Sequence, residues 1–117
     1  MAGDGYATLK GNYLADAERL LAAGDYPQAS ENLWGAVAEM GKAVASTRGW
    51  RHFSHRELRN IVGRLAIDLG DRDFVSLFNS AEALHANFYE NWMDAESVRP
   101  SAEDARRLIE KLLALAT

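Results

Sequence analysis

Arg48, Arg51, Arg56, Arg59 and Arg64 fall within one short stretch together with His52 and His55, and Glu57 is its only acid. That window carries +4 in a chain whose net charge is −4, so the remainder carries −8. Guanidinium groups hold phosphate through paired hydrogen bonds. A neutral imidazole takes up a proton as a general base. Ser54 and His55 stand where a helix is expected to begin, and free N–H groups and the helix dipole favour an anion there. The combination suits a phosphate of a nucleotide or nucleic acid, held around Arg48, Arg51, His52, Ser54, His55 and Arg59. It also suits metal-free cleavage of RNA with the 2′-hydroxyl as nucleophile. The plainer reading of the same run is a solvated helix face and loop.

Other chemistries find less material. The chain has no cysteine, which removes disulfides and thiolate metal sites. There is no G-x-S-x-G nucleophile turn. His55, His85 and Glu82 are the one set that metal ligation could use; no metal or cofactor is expected.

The elements that must position these residues read as helices throughout. The length of 117 residues is that of one domain. Only two prolines occur, and β-branched residues do not alternate with polar ones. Tyr13, Leu14, Ala17, Leu20 and Leu21 give an apolar stripe for a first helix over about 7–23, closed by Gly24. Asp25 and Gln28 form a capping-box pattern, with Pro27 in the first turn of a second helix over about 26–47. Leu33, Val37, Met40 and Val44 mark its core side, widened by Ala29, Trp34 and Ala36. Gly35 and Gly41 on that helix would let a neighbour approach closely. Ser54 and Glu57 start a third helix with Leu58, Ile61, Val62, Leu65 and Leu69 inward, ended by Gly70. A fourth helix over about 72–92 carries Phe74, Leu77, Phe78, Ala81, Leu84, Phe88 and Trp92. Asp94 to Arg99 read as a linker, with Pro100 and Ser101 starting a fifth helix that runs to about Ala116.

The expected fold is therefore all-α: a single domain over 1–117, core about 7–116, in a largely antiparallel up-and-down bundle of about five helices. The tight turn at Gly70-Asp71 sets the third and fourth helices antiparallel. Equal rise along both then brings His85 within about a turn of His55 and puts Glu82 opposite Arg59. His85 joins the candidate site by this route.

Gly24-Asp25-Tyr26-Pro27-Gln28-Ala29, Leu33-Trp34-Gly35-Ala36, Ser54-His55-Arg56-Glu57-Leu58 and Leu84-His85-Ala86-Asn87-Phe88-Tyr89-Glu90 resemble the PaREP-type branch of the HEPN superfamily. The resemblance runs from about Tyr13 to Leu113. It implies a small helical domain that forms a homodimer, acts in a toxin–antitoxin or defence system, or accompanies a nucleotidyltransferase-type partner. Active HEPN members are metal-independent ribonucleases with an arginine followed a few residues later by a histidine. The matching pair here is Arg48 and His55, which the resemblance implies as catalytic. A competing expectation is a non-catalytic interaction module whose aromatic and small-residue faces serve dimerisation. No apolar run approaches the length of a membrane span, and the N-terminus lacks the basic flank and apolar stretch of a signal peptide. A cytoplasmic location without membrane contact is expected.

Overall fold

The computed structural model describes the backbone of residues 2–116 and the side chains of 11–116. Its helices are α1 (Ala2–Ala22), α2 (Tyr26–Arg48), α3 (His55–Leu69), α4 (Asp73–Glu90) and α5 (Ala95–Ala116). The described residues contain no strand. None of the helices is long and apolar enough to cross a membrane.

Helix α2 is the centre of the bundle and touches the other four. Its Leu33, Ala36, Val37, Met40 and Val44 are fully buried. The two interior glycines have packing reasons. A Cβ on Gly41 would meet Leu58 Cδ1 of α3 at 2.5 Å, and one on Gly35 would meet the Tyr13 ring of α1 at 3.3 Å. Each missing side chain lets a neighbouring helix come closer, against a helix cost of about 1 kcal/mol relative to alanine.

The antiparallel hairpin of α3 and α4 forms as the sequence implies. Asp25 accepts from Gln28 N–H at the start of α2, and Ser54 and Glu57 complete the capping box of α3. On α4, Phe74, Leu77, Phe78, Ala81 and Leu84 are buried beside Leu58, Ile61, Val62 and Leu65 of α3.

Three boundaries and two burials differ from the sequence expectation. Helix α1 begins at Ala2 rather than near Ala7. Helix α4 ends at Glu90, and Asn91 caps it at φ 50°. The Asn87 carboxamide there accepts from the N–H groups of Trp92 (3.0 Å) and Met93 (2.8 Å). That turns the chain off the helix axis and leaves Trp92 68% exposed instead of in the core stripe. Leu69, in the last turn of α3 before the reversal at Gly70, is 49% exposed. Helix α5 starts at Ala95, nearly two turns earlier than Ser101, with Pro100 inside it. Asp94 accepts from Ser97 N–H at 2.9 Å, and Val98 is fully buried. Burial of a valine, worth ~1.5–3 kcal/mol, and a cap worth ~1 kcal/mol together offset the ~3 kcal/mol cost of the proline.

Candidate functional site

The basic stretch begins where α2 stops. Gly49 adopts φ 70°, and its N–H and that of Trp50 turn back to the last carbonyls of the helix. The reversal lays the Trp50 indole against two guanidinium groups. Arg64, reaching from the middle of α3, lies 4.2 Å from the ring centroid, and Arg48 lies 5.6 Å from it. Both distances fall in the range of cation–π attraction. Beside the indole is an open cavity of about 390 Å³ lined by Trp50, Arg51, Glu57, Asn60 and Arg64.

Glu57 anchors the far side. Its Oε1 accepts from the N–H groups of Phe53 and Ser54, while Oε2 accepts from Arg51 Nε at 2.6 Å. These bonds, the Arg51 bond foremost, hold the Glu57 carboxyl below the ordinary carboxylate range and raise the Arg51 guanidinium. The Arg51 side chain is still 81% exposed. His52 bonds through Nδ1 to the Trp50 carbonyl and rests against the exposed ring of Phe53.

A second cluster lies under the other side of the α3 N-terminus. His55 Nε2–H donates to Glu82 Oε2 at 2.7 Å, and His85 Nδ1–H donates to Glu31 Oε1 at 3.1 Å. The two imidazole centroids are 5.7 Å apart. Each lies against Trp34 of α2, at 4.9 Å for His55 and 4.7 Å for His85. Their mutual distance is far below the separation that opposite faces of the indole would give, so both rings lean on the same side of it. The second nitrogen of each ring has no hydrogen-bond partner among the described residues. Both rings, with Lys42, Phe53 and Ser54, line a small hollow of about 210 Å³. Arg59 is tied down by Glu82 Oε1 and by Asn79 Oδ1 (3.1 Å).

The sequence-derived residues therefore divide into two groups. His55 and His85 meet, and Arg59 meets Glu82, as the hairpin register implies. Arg48 makes its contacts with Thr47 and Trp50 and none with His55. Arg51, His52 and Ser54 belong to the connector and its capping box. Glu82 and His85 also stand in a Glu-x-x-His spacing, but the Glu82 carboxylate is shared by His55 and Arg59. No group of three or more His, Asp or Glu among the described residues converges to hold a metal ion.

Trp50, Arg64, Trp34 and Glu31 belong to these clusters without having been assigned to the site from sequence: Arg64 entered only as part of the basic stretch and Trp34 only as core. For the first pair a signal was present, since Trp50 lies between Arg48 and Arg51, and an aromatic interleaved with arginines suits nucleotide stacking. Trp34 and Glu31 lie on α2, whose rotation relative to the α3–α4 hairpin no local spacing specifies.

Residues 6–109 match the archaeal PaREP1/PaREP8 family. The chain is also similar in structure to a protein of Sulfolobus solfataricus solved by crystallography, at 23% identity and a TM-score of 0.81. That likeness covers 93% of this chain and 97% of the other. At this identity it speaks to the fold alone. No curated protein is a significant match.

Proposed function

The chain belongs to the archaeal PaREP1/PaREP8 family, and from that premise we propose that it is a HEPN-type helical domain that binds a nucleotide or nucleic-acid phosphate at the junction of α2 and α3. One observation carries the reading: the Trp50 indole lies within cation–π distance of both Arg48 and Arg64, with the exposed Arg51 at the edge of the same open cavity. An indole offers a stacking surface that any base can use, and the arginines supply the charge that a phosphate backbone needs. The binding centre moves accordingly. Arg51 and Arg64 have carboxylate partners as Arg59 does, but their side chains are 81% and 60% exposed against 48% for Arg59, so Arg48, Arg51 and Arg64 are the ones assigned to the phosphate. A toxin–antitoxin or defence setting, and a nucleotidyltransferase-type partner, follow from the HEPN resemblance and stand or fall with it.

Fluorescence anisotropy with a labelled single-stranded RNA tests the assignment. Arg48→Ala, Arg64→Ala and Trp50→Ala are expected to weaken binding, and Arg59→Ala to matter less. Equal affinity in all four variants and the parent chain would remove the reading.

A second reading has one observation in its favour. The His55–Glu82 hydrogen bond fixes the ring and its tautomer, as a carboxylate does for a general base. As a metal-independent endoribonuclease, the protein would cleave RNA in the presence of chelator and stop on His55→Ala. Dependence on Arg48 as well would need the arginine to leave Trp50.

A further inference from the structure

The histidine pair holds donor atoms that the fold does not use. Each ring binds a carboxylate through one nitrogen, His55 through Nε2 to Glu82 and His85 through Nδ1 to Glu31. In a neutral imidazole, giving the N–H of one nitrogen to a carboxylate leaves the lone pair on the other. The lone pairs therefore lie on Nδ1 of His55 and Nε2 of His85. Neither atom has a hydrogen-bond partner among the described residues. Both rings line the hollow between α2, α3 and α4. With side chains 46% and 27% exposed, both can be reached from solvent.

A histidine that binds a metal has this arrangement. One nitrogen meets the ion, and the other gives its N–H to a carboxylate that orients the ring and makes it a stronger ligand. The spacing agrees as well. An ion about 2.0–2.1 Å from one nitrogen of each of two rings sets their centroids about 5–6 Å apart. Here they are 5.7 Å apart. Trp34 lies against both rings and limits where they can turn.

We propose that His55 and His85 together bind one divalent transition-metal ion, through Nδ1 of the first and Nε2 of the second, with Glu82 and Glu31 behind the ligands. Imidazole nitrogen suits Zn²⁺, Cu²⁺ and Ni²⁺, and a chain without cysteine has no thiolate to compete for them. No third side chain joins the pair among the described residues. The ion thus keeps positions for water or for an anion entering the hollow. Lys42, which also lines the hollow, is paired with Glu39 at 3.7 Å, which tempers its repulsion of a cation. The ligands come from two different helices, so no spacing along the sequence announces them, and the sequence expectation of no metal is reversed. The proposal does not depend on phosphate binding at Trp50. It does bear on the nuclease reading, because an ion on Nδ1 of His55 takes the lone pair that a general base needs.

Calorimetric titration with Zn²⁺ tests it, on the full chain free of any histidine tag. One ion per chain is expected. His55→Ala and His85→Ala are each expected to weaken uptake by about a hundredfold or more, since loss of an outer carboxylate alone costs about tenfold to a hundredfold. Far-UV circular dichroism checks that both variants fold. The parent chain gives a second readout that needs no substitution. In long-range ¹H–¹⁵N spectra, Zn²⁺ should shift the ring nitrogens of His55 and His85 and leave those of His52, bonded to the Trp50 carbonyl, in place. Absence of saturable uptake overturns the proposal. So does uptake that survives both replacements, or spectra in which His52 moves and the pair does not, either of which would place the ion elsewhere.

Discussion

Asn87 is fully buried, and it holds the exit of α4 to the entrance of α2. Its Nδ2 donates to Ser30 Oγ at 3.1 Å, and that hydroxyl donates to the Tyr26 carbonyl at 2.7 Å. Its Oδ1 takes the two N–H groups that follow the helix. Three hydrogen bonds converge on one side chain in a place closed to water. Asn87→Ala should therefore lower the unfolding free energy by about 2–3 kcal/mol in urea titration, and a loss below about 0.5 kcal/mol would mean that these groups rehydrate freely. Apart from its place in a family-like phrase, the sequence assigned no role to this asparagine, which sits one residue before Phe88 of the apolar stripe. His55 and His85 were different. Both lie on a hairpin whose turn is fixed by Gly70, so counting residues was enough to bring them together. What the count could not supply was Trp34 beneath them, because α2 meets that hairpin through tertiary packing alone.

At the scale of the element, the signals at helix starts were the most legible. Ser54 with Glu57, and Asp25 with Gln28, are local hydrogen-bond patterns that need no distant partner. The fifth helix shows where such signals mislead. Pro100 and Ser101 look like a beginning, yet the helix, with Val98 buried, extends nearly two turns upstream. The start of α3 also carries a pH dependence. Glu57 is held below the ordinary carboxylate range in the folded protein, first by Arg51 and then by the N–H of Phe53. A lowered folded-state value stabilises the fold above the unfolded-state value, and this contribution is lost as pH falls through the folded one. Glu57→Gln should thus melt below the parent chain at pH 7, and the gap should narrow as pH falls below about 4.3, the ordinary value of a glutamate. Melting temperatures recorded against pH for both proteins decide this. Parallel curves would show that the charge of Glu57 contributes nothing to the capping box.

Across the whole molecule, the division of charge matters more than its total. The window from Arg48 to Arg64 is +4 on a chain whose remainder is −8. On the proposed reading, a polyanion is expected to meet the molecule at the α2–α3 junction, where that window lies. If Arg48, Arg51 and Arg64 each neutralise one phosphate of a single strand, log affinity should fall against log salt with a slope of about −2. Each Arg→Ala replacement should flatten that slope by about 0.7. Arg19→Ala, on α1 and paired with Asp16, should leave it unchanged. Affinities measured from low to moderate salt for the parent chain and these four variants give the slopes directly. Replacing Arg59 separates the two clusters further. Its guanidinium is bound to Glu82 and Asn79, so the slope should stay near that of the parent chain even if affinity drops through a shift of the hairpin. A slope that flattens with Arg59 and not with Arg64 would move the phosphate contact from the Trp50 cavity to the paired histidines.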